Sequence, residues 1–294
     1  MSVAPAPGPG IGSQPRGAKV RGTLFYVVLL ISVSVGFVLL FTLIADVLQK
    51  GVAYLDPILF TEPNSTNPDK AGAGPAIRGT IYMMVLLLVM VVPIGVGTAI
   101  YLEEYANRER WYNRLLELNI QNLAAVPSIV YGILGLAFLV RGLGLGRVLL
   151  AGALILTLLV LPTVIVASRE AIRGVPDSIR QGAYALGATQ WQVVSRQVLP
   201  AAIPGIATGS ILALARAIGE TAPLLLVGAL TYVAVDPTLL GPFTALPVQI
   251  YQWIARPQDE FRLLAAAGII VLLAILLTMN AFAIWLRNRY QRRW

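Results

Sequence analysis

Long stretches without a single charge dominate this chain. No Asp, Glu, Lys or Arg occurs in 22–45, 79–102, 118–140, 148–168 or 263–286, runs of 24, 24, 23, 21 and 24 residues. About 20 residues of α-helix, rising about 1.5 Å each, cross the hydrocarbon core of a bilayer. Each run is therefore expected to span a membrane. A sixth span is expected from 197–215 and 221–235, of 19 and 15 residues, joined as one interrupted crossing because the second is short alone. Backbone in lipid must satisfy its own hydrogen bonds. The expected fold class is all-α: a polytopic membrane helical bundle of about six transmembrane helices.

Composition agrees. Only 12% of the 294 residues are charged and the mean hydropathy is +0.76, where a soluble domain carries roughly 25% charge. The chain holds no Cys and no His, which excludes disulfides, thiolate nucleophiles, histidine proton relays and the usual zinc sites in it. Its net charge of +8 is read as a determinant of membrane orientation rather than of nucleic-acid binding.

Residues 1–22 are rich in Ala, Pro and Gly and are expected to be a disordered cytoplasmic tail. The run that follows is too long for the roughly 7–15-residue core of a cleaved signal peptide. A permease domain is expected over 23–286 and a basic cytoplasmic tail over 287–294. With the N-terminus inside, the cytoplasmic segments carry 14 Lys/Arg and the opposite side 7. That bias places both termini in the cytoplasm of a multi-pass inner (plasma) membrane protein. The loops 49–76 and 236–262 are Pro-rich and read as irregular outer structure. Asn64-Ser65-Thr66 matches a glycosylation sequon by chance, and the glycines of 142–146 form a tight turn between two spans.

Two segments carry functional information. The cytoplasmic loop 169–198 contains Pro176, suited to a helix start, and Gly187, suited to a break between two short helices. A helix–turn–helix on the inner face is a candidate docking element, and a plain connecting loop is the alternative. In the second segment, Arg216 and Glu220 lie four apart, on one face if helical. A charge at membrane depth costs about 3 kcal/mol or more, so such residues pair or face a pathway. A guanidinium suits a bidentate hold on an oxyanion. The alternative is an ion pair that only locks helices.

The loop resembles the cytoplasmic motif of binding-protein-dependent ABC-importer permeases, whose pattern runs Glu-Ala-Ala, three residues, Gly, nine residues, Ile, one residue, Leu-Pro. Gln181, Gly182 and Ala183 take the first triplet, Gly187 the glycine, and Leu199-Pro200 the end. Gln181, Gly182 and Gln197 depart from the pattern. Ala185–Thr189 with Trp191, residues 198–206, and the segment Arg216-Ala217-Ile218-Gly219-Glu220-Thr221-Ala222-Pro223 are similar to phosphate-transport permeases. The Gly-Glu-Thr-Ala-Pro form and residues 246–251 are more like the PstA family than its PstC partner, over roughly 75–286.

The resemblance implies a type I ABC-importer permease that moves inorganic phosphate inward. It implies an ATPase-coupling loop built on Gln181, Ala183, Gly187, Trp191, Leu199 and Pro200, and a substrate path at Arg216 and Glu220. No P-loop sequence is present, so the expected transport subunit has no ATPase site or cofactor of its own. ATP and Mg would be bound by two PstB-like ATPase subunits. A PstC-like permease and an extracytoplasmic PstS-like phosphate-binding protein complete the implied partners. Open alternatives are a permease for sulfate or molybdate and an ion-coupled secondary transporter; the latter usually has two similar halves and more spans.

Overall fold

The computed structural model describes residues 16–107, 109–229, 233 and 235–290. It divides into two compact units, 1–49 and 50–294. The first is built by α1 (Arg16–Gly51), a 36-residue helix. Ser32 and Thr42 donate their hydroxyl protons to the carbonyls of Val28 and Val38 one turn back, the usual way such residues satisfy themselves in an apolar helix. The helix already includes residues 16–22 of the expected tail; 1–15 lie outside the described residues.

The second unit begins with the short α2 (Pro57–Thr61) and the long α3 (Gly74–Ile100), which continues through a π-helical turn at Tyr101–Tyr105. Next come α4 (Trp111–Ala125), α5 (Ser128–Gly135), prolonged by π-helical residues Leu136–Gly142, and α6 (Leu149–Arg173). Two short helices follow, α7 (Asp177–Ala185) and α8 (Gln190–Val193). The latter runs through a π-helical turn at Val194–Val198 into α9 (Leu199–Ile218). The chain ends with α10 (Ala222–Val227), α11 (Leu246–Ile254) and α12 (Asp259–Tyr290). Residues 291–294 of the expected basic tail lie outside the described residues.

Among the described residues, five helices are long and apolar enough to cross a membrane, or six if a bent pair counts as one span. Two expected spans differ in detail. The run 118–140 is not one rod: α4 and α5 meet at 105°. Pro127 supplies no N–H and disfavours helix for Val126 before it, and the Leu123 carbonyl accepts instead from the Val126 N–H at 3.2 Å and from the Tyr131 hydroxyl across the corner at 2.8 Å. The joined crossing 197–235 is also corrected. The helix from Gln190 to Ile218 is 29 residues long and spans alone, whereas α10 is six residues and stops at Gly228, φ +107°.

The core of this unit is the three-helix contact of α3, α6 and α9. Leu87 and Val91 of α3, Leu156 and Val164 of α6 and Ala213 and Ala217 of α9 are buried in it. Lipid tails are as apolar as these side chains, so association depends on close packing, and small residues allow it. Gly205 and Gly209 of α9 lie four apart, and a Cβ on either would collide with Ala171 or Ala167 of α6. A second cluster joins α2, α11 and α12 at one end of the bundle. There Trp253 Nε1 donates to Asn64 Oδ1 at 3.0 Å and Arg256 Nη1 to the Ser65 carbonyl at 2.7 Å. Asn64, the sequon residue, is thus a buried hydrogen-bond acceptor.

Candidate functional site

The loop between α6 and α9 is a compact helical hairpin. Pro176 precedes α7, and Asp177 in its first turn complements the helix dipole. At the other end Gly187 takes φ +79°. Its N–H binds the Tyr184 carbonyl at 2.9 Å and the Ala188 N–H binds the Ala183 carbonyl at 3.2 Å, the two bonds of a Schellman stop. Two residues later Thr189 and Gln192 cap α8 reciprocally: Gln192 N–H donates to Thr189 Oγ1 and Thr189 N–H to Gln192 Oε1. The break expected at Gly187 is therefore real and is closed on both sides.

The hairpin presents an apolar tip. Leu186 is 90% exposed, Trp191 64% and Tyr184 45%, large side chains left uncovered beside the turn. Gln181 is exposed on α7, while Ala183 and Leu199 are partly buried against Val193, Val198 and Ile172. Pro200 lines a cavity at the start of α9. The expected coupling residues thus divide into an outward tip (Trp191 with Gln181), a hinge (Gly187) and an inner anchor (Ala183, Leu199).

Charged residues fasten the hairpin to the bundle. Arg180 of α7 donates from Nη2 to Glu104 Oε1 at 2.9 Å and to the Ile172 carbonyl at 2.9 Å, and from Nη1 to the Val175 carbonyl at 2.6 Å. Gln190 of α8 donates to the Glu104 carbonyl at 2.5 Å. Beside it, Glu103 Oε1 accepts from Arg169 Nε and Arg173 Nη2, both at 2.8 Å, and Arg169 Nη2 reaches Glu117 Oε1 at 2.6 Å. The Glu103 and Glu104 side chains are more than nine-tenths buried. A carboxylate that deep is tolerable only when paired and hydrogen-bonded. These residues were not singled out in the sequence; the only signal there is Glu-Glu ending a charge-free run, with Arg169 and Arg173 one helical turn apart.

Arg216 and Glu220 occupy the opposite end of α9. The helix stops at Ile218, so Arg216 stands in its last turn and Glu220 beyond it rather than on one continuous helical face. Their Nε···Oε1 separation is 3.6 Å, with side chains 55% and 18% exposed. At that length and exposure the pair is a loose ion pair. Arg216 and the coupling residues are not neighbours. Leu199 to Arg216 is 17 residues of α9, about 26 Å, so one helix connects the anchor of the hairpin to the charged pair.

The sequence profile described as "Binding-protein-dependent transport system inner membrane component" matches residues 91–294. This chain belongs to that family. Among curated proteins it is 36% identical over 223 residues to "Phosphate transport system permease protein PstA 1" of Mycobacterium tuberculosis, covering 76% of this chain and 72% of the relative. It is 34% identical over 250 residues to the PstA of Yersinia pestis, covering 84% and 83%. Solved structures share the fold at lower identity. A bacterial alginate ABC transporter chain matches with TM-score 0.65 and 17% identity, over 92% of this chain and 96% of that one. The methionine transporter MetNI in an inward-facing conformation matches with TM-score 0.58 and 18% identity, over 74% and 94%. The expected all-α importer-permease fold and the resemblance to the PstA family are both borne out. Family membership also displaces the reading as an ion-coupled secondary transporter.

Proposed function

We propose that the chain is the PstA-like permease subunit of an ATP-driven importer that carries inorganic phosphate into the cell. The similarity to phosphate transport permeases over about three quarters of the chain carries this reading. The exposed Leu186–Trp191 tip is a docking surface for a separate ATPase, and two PstB-like copies bind the ATP and Mg that drive transport. A PstC-like permease forms the other half of the path, and a PstS-like binding protein delivers phosphate from outside. The hairpin and both termini lie in the cytoplasm, as the basic-residue bias supports.

Closure of the ATPase moves the hairpin, and the Glu103–Glu104 clasp passes that movement to α3 and α6 while α9 passes it to Arg216. The guanidinium of Arg216, more than half exposed, has donors to offer an anion. Glu220 compensates it between transport cycles and, by competing for it, assists release. Uptake of labelled phosphate in cells lacking other phosphate carriers, with excess sulfate or molybdate as competitor, tests the assignment. Uptake unaffected by either competitor supports phosphate; suppression by sulfate or molybdate transfers the reading to another oxyanion.

A further inference from the structure

Arg216 and Glu220 hold complementary hydrogen-bonding groups that neither uses. The Arg216 side chain is 55% exposed and makes no hydrogen bond among the described residues, with its Nε 3.6 Å from Glu220 Oε1. The Glu220 side chain is only 18% exposed, yet its carboxylate accepts no hydrogen bond among the described residues. Polar atoms that far from water are hydrogen-bonded as a rule, and a carboxylate kept only as a counter-ion closes on its arginine to about 2.7–2.9 Å. Elsewhere in this chain it does so: Glu103 and Glu104 meet Arg169 and Arg180 at 2.8 and 2.9 Å. The backbone fixes Glu220 and leaves the guanidinium free to swing. The N–H groups of Gly219 and Glu220 donate to the Arg216 and Ala217 carbonyls, both at 3.2 Å, and Ala217 and Ile218 are buried in the bundle. Three residues on, Pro223 backs onto α5 so closely that a Cβ on Gly132 would lie 2.8 Å from its Cα.

We infer that Glu220 is a specificity-determining acceptor: Arg216 donates to the bare oxygens of an oxyanion while Glu220 accepts from its remaining O–H group. The inference deepens the phosphate reading of this pair and rests on it. A guanidinium only donates and a carboxylate only accepts, so the two together match an ion that both accepts and donates. Near neutral pH phosphate and arsenate keep at least one proton, whereas sulfate and molybdate keep none. The pair therefore takes protonated tetrahedral oxyanions and refuses the bare dianions, whose lone pairs would face the carboxylate with no proton between them. Drawing an anion between the two side chains requires the pair to open, and an ion pair this long and exposed opens at little cost. A hydrogen bond to a charged group corresponds to about tenfold or more in affinity. A plain counter-ion would instead weaken every anion alike and leave their ratio unchanged.

The test uses the assembled permease–ATPase complex in nanodiscs without the binding protein, so that the choice made by the permease is read alone. Gly219→Cys supplies a reporter. This chain has no cysteine, Gly219 has φ −90°, and a Cβ there meets nothing nearer than the Arg216 carbonyl at 3.8 Å. Alkylation of that thiol by N-ethylmaleimide is followed by mass spectrometry of this chain, with sodium phosphate, arsenate or sulfate added at constant ionic strength. The measurement is made with and without a non-hydrolysable ATP analogue. Phosphate and arsenate should protect at concentrations about tenfold or more below sulfate. In Glu220→Gln, whose amide donates as well as accepts, sulfate should gain and the ratio should fall toward one. Glu220→Asp keeps an acceptor and should keep the preference, which serves should the glutamine variant fail to assemble. Equal protection by phosphate and sulfate with Glu220 in place would overturn the acceptor role and leave the anion path standing. A ratio unchanged in Glu220→Gln would also overturn it, as the mark of a counter-ion. No protection by any anion, or a thiol unreactive in both states, would overturn the path reading and this inference with it.

Discussion

Arg180 of the first hairpin helix and Glu104 at the end of α3 are joined at 2.9 Å across 76 residues of sequence, and both side chains are largely buried. The same guanidinium holds two backbone carbonyls at the end of α6 and the start of the hairpin. One side chain therefore ties together the spans and the surface proposed to meet the ATPase.

Removing one partner of a fully buried pair costs about 3–5 kcal/mol; Arg180 would keep Asp177 Oδ1 at 3.1 Å and its two carbonyls, so the loss of Glu104 costs less than that. Glu104→Ala should loosen the hairpin, so that ATPase co-purification and phosphate uptake both fall. Glu104→Gln keeps an acceptor for Arg180 and should retain more of each. Equal loss in the two variants, measured at matched membrane levels, would mean that the bond to Arg180 is not what matters at this position.

The tip permits a cleaner separation. Leu186 touches little of its own chain, so Leu186→Asp should leave membrane abundance within a few tenths of a kcal/mol in stability, as for most surface changes. Co-purification of the ATPase should nevertheless drop several-fold, because a carboxylate would have to be desolvated in the docked interface. Unchanged co-purification would remove the tip from the interface.

Gly187 is the position where backbone conformation decides. At φ +79° a side chain costs about 1–2 kcal/mol, and more when β-branched. Gly187→Val should disturb both the Schellman stop and ATPase association, whereas Gly187→Asn should do so far less. Circular dichroism of the purified permease should show unchanged helix content in both, which separates a local change from misfolding.

Packing of α9 on α6 gives the opposite signature. Gly205→Leu forces a branched side chain against Ala171, with overpacking strain of about 1–3 kcal/mol or more. The expected result is a lower level of folded permease in the membrane, and loss of uptake in proportion. Gly182→Ala, where a Cβ meets open space, should leave that level unchanged and serves as the control.

Much of this architecture was legible in the sequence, for physical reasons. Charge-free runs marked the membrane helices because hydrocarbon excludes charge, and Gly187 marked the hairpin because few other residues tolerate its φ. Direction was harder. The run 118–140 gives no warning of a 105° corner except Pro127, since apolarity alone does not say that a helix is straight. Spacing of four put Arg216 and Glu220 on one helical face, but Gly219 follows the last helical residue and the pair opens. The clasp of Glu103 and Glu104 with Arg169, Arg173 and Arg180 was out of reach, because it joins residues 66 to 76 apart that only the packing of α3 on α6 brings together.

Phosphate import through this chain is tested most directly by accumulation of labelled phosphate in cells that lack every other phosphate carrier and express the complete transporter. Arg216→Gln removes the exposed guanidinium, and Arg216→Lys keeps its charge but loses its planar fork. An anion path at this residue predicts strong uptake by the wild type, a small residue of it with lysine and none with glutamine, at equal membrane levels and equal ATPase co-purification. Undiminished uptake by Arg216→Gln under the same conditions would contradict it.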